Sequence, residues 1–279
     1  MILTILGFMT FFPFIHLLAV SFNDPLDMIA GGITFFPRKF SLFNYHYIFS
    51  NKALYLATVI SILRTLVGTG LGVLFTAMIA YALSRREFMF RKSFNFIFVM
   101  TLYVNGGLIP TYLLIKNLGL MNSFWVYILP VLISAYNVII MRSYFEQLPE
   151  AIVESAKMDG ANEFQTLFRI ILPISMPVVA TITLFIGVFH WNSWFDNSLY
   201  NSRSPHLNLL QYELSKILMQ SVTSAASSAE ALNNNNVARL SPQSIRAALT
   251  IIVTFPILLI YPFLQKYFVK GITLAAVKE

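Results

Sequence analysis

From Ala53 to Ser84 the chain reads ALYLATVISILRTLVGTGLGVLFTAMIAYALS, an apolar run with one charge in it, Arg64. A helix of about 20 apolar residues crosses the hydrocarbon core of a bilayer, and this run is longer than that. The rest of the composition agrees: charged residues make up 11% of the chain, against roughly 25% in soluble domains, and the mean hydropathy is +0.70. The expected fold is all-α, a polytopic membrane protein with six transmembrane helices.

The six spans are predicted at residues 1–23, 53–84, 93–115, 124–142, 170–196 and 247–265. The first, MILTILGFMTFFPFIHLLAVSFN, carries no charge. No basic segment precedes its apolar run and no small-residue cleavage pattern follows, so it reads as a retained helix and not a cleaved signal. His16 within it reads as a packed polar residue, since nothing nearby supplies a second metal ligand. Without cysteine there are no disulfides and no thiolate metal sites. The net charge of +7 comes mostly from short loops beside apolar runs, which points to lipid headgroups and topology, not to nucleic acid.

Orientation follows from the loop SRREFMFRK, where Arg85, Arg86, Arg91 and Lys92 are dense enough to mark the cytoplasmic side. Lys266 and Lys270 place the tail, residues 266–279, on the same side, so both termini are expected in the cytoplasm. Residues 24–52 and 197–243 become external loops. The first carries Pro25, Gly31, Gly32 and Pro37 and suits short turns or a surface helix. In the second, Gln211–Gln220 suits a short amphipathic helix, and SAASSAEALNNNN is low in complexity.

Some residues within the spans call for explanation. An intramembrane arginine costs at least about 2.5 kcal/mol at a helix centre; Arg64 is expected to snorkel to the interface, with a substrate-lining role as the other reading. Gly68 and Gly72 form a small-xxx-small pair that admits a close helix neighbour. Asn105-Gly106-Gly107 and Pro110 break the third span; unwound backbone at depth is tolerated only when covered by protein or facing water, so the span either borders a cavity or the outer mouth, or is a kinked packing helix. Phe124, Trp125 and Tyr127 suit an interfacial belt, with Arg142 at the other end of that span. Two prolines, Pro256 and Pro262, are expected to break the sixth.

The polar stretch at residues 147–169 stands apart. Pro149 suits a helix start, Glu150 and Glu154 lie one turn apart, and Gly160 suits a left-handed stop. Asn162 with Gln165 then forms a capping box for a second helix. Acids at this spacing are open to three readings: a catalytic pair, a solvated helix face, or a rigid helix that enters a groove of another protein. No metal-binding histidine, nucleophile motif or apolar pocket accompanies them, so no catalytic residue is assigned.

Glu154-Ser155-Ala156, then Gly160, then Ile170-Ile171-Leu172-Pro173 resemble the EAA loop of permease subunits of ATP-binding-cassette importers. The spacing fits without a gap, and Ser155 stands where alanine is usual. Lys157, Met158, Asp159, Gly160 and Ala161 are further similar to carbohydrate-importer permeases of the MalG type, the LplC/YtcP-like group of binding-protein-dependent transport systems. The resemblance extends over the whole chain, including Gly271-Ile272-Thr273-Leu274. It implies a coupling helix at Glu150–Gly160 that seats in a cleft of a separate ATPase, with Glu154 as a polar contact and Gly160 as the bend; Glu150, Ser155, Ala156, Lys157, Met158, Asp159 and Ala161 belong to the same element. It also implies that residues 275–279 touch the ATPase dimer.

No GxxxxGK[ST] phosphate loop occurs in the chain, so ATP with magnesium is expected to be handled by a partner and no cofactor by this chain. Pro173 and Pro177 should kink the start of the fifth span. Its far end, His190-Trp191-Asn192-Ser193-Trp194-Phe195-Asp196-Asn197, mixes rings and amides as sugar sites do, and is equally an interfacial belt. Asn105, Trp191, Asn192 and Trp194 are the candidates for the substrate path. The resemblance thus implies a permease for a saccharide, in particular an oligosaccharide, in a bacterial plasma membrane. Its expected partners are a homologous MalF/LplB-like permease, two ATPase subunits and an extracytoplasmic solute-binding protein. The rival class is an ion-coupled secondary transporter, which favours internal repeats and a midplane ionisable residue; neither is clear here.

Overall fold

A computed structural model of the chain describes residues 2–28, 32–227 and 242–276. The longer helices are α1 (Ile2–Ser21), α2 (Lys52–Ser84), α3 (Arg91–Tyr103), α4 (Leu108–Asn117), α5 (Ala135–Phe145), α6 (Glu150–Met158), α7 (Met176–Asn192), α8 (Leu210–Ser227) and α9 (Pro242–Ala276). The one β feature among the described residues is a bridge between Asn23 and Phe40. The all-α expectation holds. The chain divides into two compact units, Met1–Ser61 with Asn197–Leu259, and Ile62–Asp196 with Ile260–Glu279.

In the first unit, α1 leaves Leu3, Phe8, Met9 and Phe11 exposed, a surface that suits hydrocarbon. Its last turn faces inward, where Ala19 and Val20 pack with Ile33 and Ala247. The segment that follows does hold short elements, Pro25–Met28 and Phe43–Ser50. Asn44 is fully buried because its amide donates to the carbonyls of Ser21 and Asn23, both at 3.0 Å, which the end of α1 leaves open. Asn197 Oδ1 accepts the Leu209 N–H at 2.7 Å and the Ser61 hydroxyl accepts the Leu210 N–H at 2.8 Å, so both side chains cap the start of α8. The helix expected at Gln211–Gln220 lies within α8. Residues 228–241, which include most of the low-complexity stretch, and residues 277–279 of the tail lie outside the described residues.

Among the described residues, two helices are long and apolar enough to cross a bilayer unbroken, Lys52–Ser84 and Gln243–Ile260. The helix α9 passes Pro256 and Pro262 without interruption, which corrects the expected break. Proline is tolerated in membrane helices because neighbouring groups and small helical adjustments re-satisfy the backbone it frees. Three helix pairs among the described residues reach that length and hydropathy only together, each bent at a short break: Arg91–Tyr103 with Leu108–Asn117 at 118°, Phe124–Val131 with Ala135–Phe145 at 51°, and Glu163–Ile174 with Met176–Asn192 at 89°. The break in the third span, at Val104–Gly107, was legible from its glycines. That in the fourth was not, and a single helix over Phe124–Met141 is corrected to two 3₁₀ turns, Phe124–Tyr127 and Leu129–Val131, followed by α5. Pro130 sits in the second turn, where it has no N–H to donate and disfavours the α conformation in the residue before it.

The core of the second unit joins Ala77, Ala80 and Tyr81 of α2, Met141 and Phe145 of α5, Val153 of α6, and Leu167, Ile171, Ile182 and Ile186. Gly68 and Gly72 admit α7 closely: a Cβ on Gly68 would lie 2.5 Å from His190 Nε2, and one on Gly72 3.1 Å from Ile186. Arg64 does not snorkel. Its side chain is 0% exposed, it is paired through both terminal nitrogens with Asp196, and its NH1 nitrogen also donates to the Ser193 carbonyl at 3.2 Å. Its Nε faces His190 Nδ1 at 3.5 Å, and its guanidinium lies 4.8 Å from the centre of the Tyr127 ring. The partner that makes burial possible is 132 residues away in sequence, beyond the reach of a local reading.

Candidate functional site: a docking helix and a broken-span cavity

Pro149, extended at ψ 129°, sets the start of α6, with Glu150 in the first turn and Lys157 in the last; both charges suit the helix dipole. At the other end Gly160 takes φ +80°. The Gly160 N–H reaches the Lys157 carbonyl and the Ala161 N–H the Ala156 carbonyl, both at 3.0 Å, the paired bonds of a Schellman stop. Asn162 and Gln165 then cap the next turn reciprocally, at 2.9 and 3.0 Å, as the capping-box reading expects. Beyond it, Thr166–Ile171 is a π-helix, and the chain bends again at Ser175 between Pro173 and Pro177.

The helix is two-faced. Val153 and Ala156 are buried in the core, so the last small residue of Glu154-Ser155-Ala156 is small because it packs. Glu150, Glu154, Ser155 and Asp159 are exposed, and Met158 is 89% exposed. Lys157 departs from the group: its Nζ bonds Glu87 at 2.8 Å and lies 3.3 Å from Glu163. Its ammonium is held above its ordinary pKa chiefly by the bond to Glu87. Glu163 is held below the ordinary 4.5, chiefly by the hydrogen bond that Tyr81 donates to it at 2.7 Å.

The four substrate-path candidates fall at two places in the chain, Asn105 in the break of the third span and Trp191, Asn192 and Trp194 around the end of α7. Asn105 sits in the exposed break of the third span, where its Oδ1 accepts the Gly107 N–H at 2.9 Å. Trp191 is buried, Asn192 is exposed, and Trp194 is half-buried and edge-on to Phe195 at 6.0 Å. A different feature of the second unit is concave. Where the fourth span breaks, a cavity of about 640 Å³ opens between Pro130–Asn137 and α7. Its walls combine Tyr136, Phe185 and Phe189 with Ser134 and Asn137. Concave sites that pair apolar rings with a few polar groups are the usual form of a small-molecule pocket. The available signal was Pro130 with Ser134 four residues on, inside an otherwise apolar run, and Phe185 and Phe189 four residues apart on one face of a helix.

A broken-span bundle with a capped, outward-facing helix between two apolar segments is the architecture of a membrane permease. The family of binding-protein-dependent transport system inner membrane components matches residues 8–274, and the chain belongs to it. The chain is similar to the polygalacturonan/rhamnogalacturonan transport system permease protein YtcP of Bacillus subtilis (strain 168), 37% identical over 267 residues, 95% of this chain and 92% of the relative. It is also similar to protein LplC of the same organism, 37% identical over 274 residues, 98% of this chain and 90% of the relative. Among solved structures, a bacterial ABC transporter involved in the import of the acidic polysaccharide alginate superposes with a TM-score of 0.85 at 27% identity, covering 96% of this chain and 94% of the other. The chain is a permease subunit of an ABC importer, a membrane component and not an enzyme.

Proposed function

We propose that this chain forms one half of the path by which an oligosaccharide enters a bacterial cell, delivered by an extracytoplasmic binding protein and driven by a separate ATPase pair. The observation that carries the reading is α6: a short helix fixed to the core through Val153 and Ala156, stopped by Gly160, and presenting Glu150, Glu154 and Met158 outward. Such a face suits a groove in another protein. The density of positive charge in the loop Arg85–Lys92, whose Glu87 holds Lys157 of α6, supports a cytoplasmic position for it, and the same topology rule supports cytoplasmic termini. The bend at Gly160 and the breaks near Pro173 and Pro177 link it to α7, the helix that lines the cavity with Phe185 and Phe189.

In this reading ATP, with magnesium, binds and closes the partner ATPases, the coupling helices of this chain and of a homologous permease approach, and the path turns outward to receive sugar. Hydrolysis resets it. The spans are those of the sequence reading, with the third, fourth and fifth broken. The cavity wall supplies ring faces for sugar C–H groups and Ser134 and Asn137 for hydroxyls. Relatives named for polygalacturonan and for arabinooligosaccharides support a saccharide cargo.

The test is uptake of labelled oligogalacturonide and arabinooligosaccharide into proteoliposomes holding both permeases, the ATPases and the binding protein. Uptake of one of them that requires ATP is the expected result, with Glu154→Lys losing ATPase association while remaining folded. Uptake that persists without ATP, or full ATPase association of that variant, overturns the reading.

A further inference from the structure

The bend at Gly160 is crossed by charge. Lys157 lies three residues before it and Glu163 three after, and their charged groups meet at 3.3 Å. Two points on the second unit outside the coupling segment complete the arrangement. Glu87, in the turn after α2, takes the Lys157 ammonium at 2.8 Å. Tyr81, buried in the last turns of α2, donates its hydroxyl to Glu163 at 2.7 Å. The Arg85 guanidinium covers the Tyr81 ring at 4.9 Å, which holds the phenol in place. A chain of contacts Glu87–Lys157–Glu163–Tyr81 therefore starts and ends on the same end of α2, with the glycine bend enclosed between its two middle members.

We infer that this chain of four side chains is a brace that fixes the angle at Gly160 and makes α2 move with the coupling helix, so that Tyr81, Glu87, Lys157 and Glu163 are positioning residues for transport. The inference rests on the coupling role proposed for α6. Gly160, at φ +80° with no side chain packed against its Cβ position, is held locally by the backbone bonds of the stop alone, which leaves a bend that outside contacts can stiffen. A hinge transmits force only when something stiff spans it, and here the spanning groups are ionic on one side and hydrogen-bonded to a buried phenol on the other. The contacts take the Lys157 ammonium away from the exposed row of Glu150, Glu154 and Met158, so the docking face and the brace are separate parts of one short element. The helix that bears Tyr81 also bears Gly68 and Gly72, against which α7 is closely packed; displacement of α6 would thus reach α7 by two routes, through the chain past Pro173 and through α2.

The experiment uses the complete transporter in proteoliposomes and measures sugar carried per ATP hydrolysed, ATPase co-purification and ATPase rate for Glu87→Gln, Tyr81→Phe, both together, and Glu87→Asp. The expected result is a fall in sugar per ATP of up to about fivefold in Glu87→Gln, the weight of one surface ion pair, of about tenfold in Tyr81→Phe, which removes a hydrogen bond to a carboxylate, and more in the double. ATPase association stays unchanged and Glu87→Asp recovers most of the loss. Because Glu87 and Lys157 are solvent-accessible, raising salt lowers sugar per ATP in the wild type and has less effect in Glu87→Gln. Unchanged sugar per ATP in the double variant, or a loss that tracks lost ATPase association, overturns the brace. Glu154→Lys run beside them separates the two ideas: if it too keeps its ATPase, the coupling reading falls, and if it alone loses the ATPase while Glu87→Gln and Tyr81→Phe transport normally, only the brace falls.

Discussion

Replacing Asp196 with alanine should destabilise the second unit far more than removing one acid from a membrane protein's surface would. Arg64 is completely enclosed, and the Asp196 carboxylate that pairs with it is itself about four-fifths covered, with 21% of its side chain exposed. Removing one member of a buried pair costs about 3–5 kcal/mol, because the remaining charge is left without compensation. Two contacts soften the loss here: the Ser193 carbonyl at 3.2 Å and the Tyr127 ring at 4.8 Å, together worth about 1–2 kcal/mol. The partial exposure of Asp196 lowers it further, so the expected cost is about 2 kcal/mol, on the order of thirtyfold in the folded-to-unfolded ratio. The assay is unfolding of the purified chain by denaturing detergent in mixed micelles, followed by far-UV circular dichroism. The double variant Arg64→Met/Asp196→Leu removes both charges and should come within about 1 kcal/mol of the wild type, since apolar replacements of buried pairs are often neutral or better. An Asp196→Ala variant as stable as the wild type, or a double variant less stable than the single, would refute the idea that desolvation of Arg64 is what the pair offsets.

The glycines of α2 should respond unequally. Gly68→Ala drives a methyl to 2.5 Å from the buried His190 ring and should cost about 1–3 kcal/mol, whereas Gly70→Ala meets nothing within 4 Å and should be neutral or stabilising by up to about 1 kcal/mol; the same detergent titration ranks them, and equal effects would remove the close-packing argument. Glu163 predicts a pH dependence. Its folded pKa is depressed, so its contribution is full above its unfolded pKa and is lost as pH falls through the lower folded value. The stability difference between wild type and Glu163→Gln should therefore vanish in acid and, because the side chain is 56% exposed, stay below about 1 kcal/mol at neutral pH; a difference that grows on acidification contradicts the sign.

The coupling segment was unusually legible because its signals are local. Pro149, Gly160 and the Asn162–Gln165 box each act on backbone within four residues, and the structure places a helix, a left-handed stop and a cap at those positions. Local reading failed where the deciding partner was distant. Lys157 shares its short helix with Glu150 and Glu154, and nothing local shows that its ammonium meets Glu87, 70 positions earlier. Asn105 is exposed, with its Oδ1 accepting from its own turn, and Trp191 is buried; neither placement follows from neighbouring residues.

By itself the sequence determined the solvent, the helical class, the stop of the polar helix at Gly160, the places where apolar helices must yield to Asn105-Gly106-Gly107, Pro173 and Pro177, and the family resemblance carried by Glu154 to Pro173. These follow from chain-local sterics and from the cost of exposing polar backbone to hydrocarbon. The tertiary structure alone decided that Arg64 is paired and not snorkelling, that Pro130 opens a cavity while Pro256 and Pro262 leave their helix whole, and that Gly68 exists to admit His190. The Arg64 pair, the cavity and the close approach at Gly68 each depend on a group far away in sequence, and a charge, a void or a close approach has no meaning until its neighbour is in place.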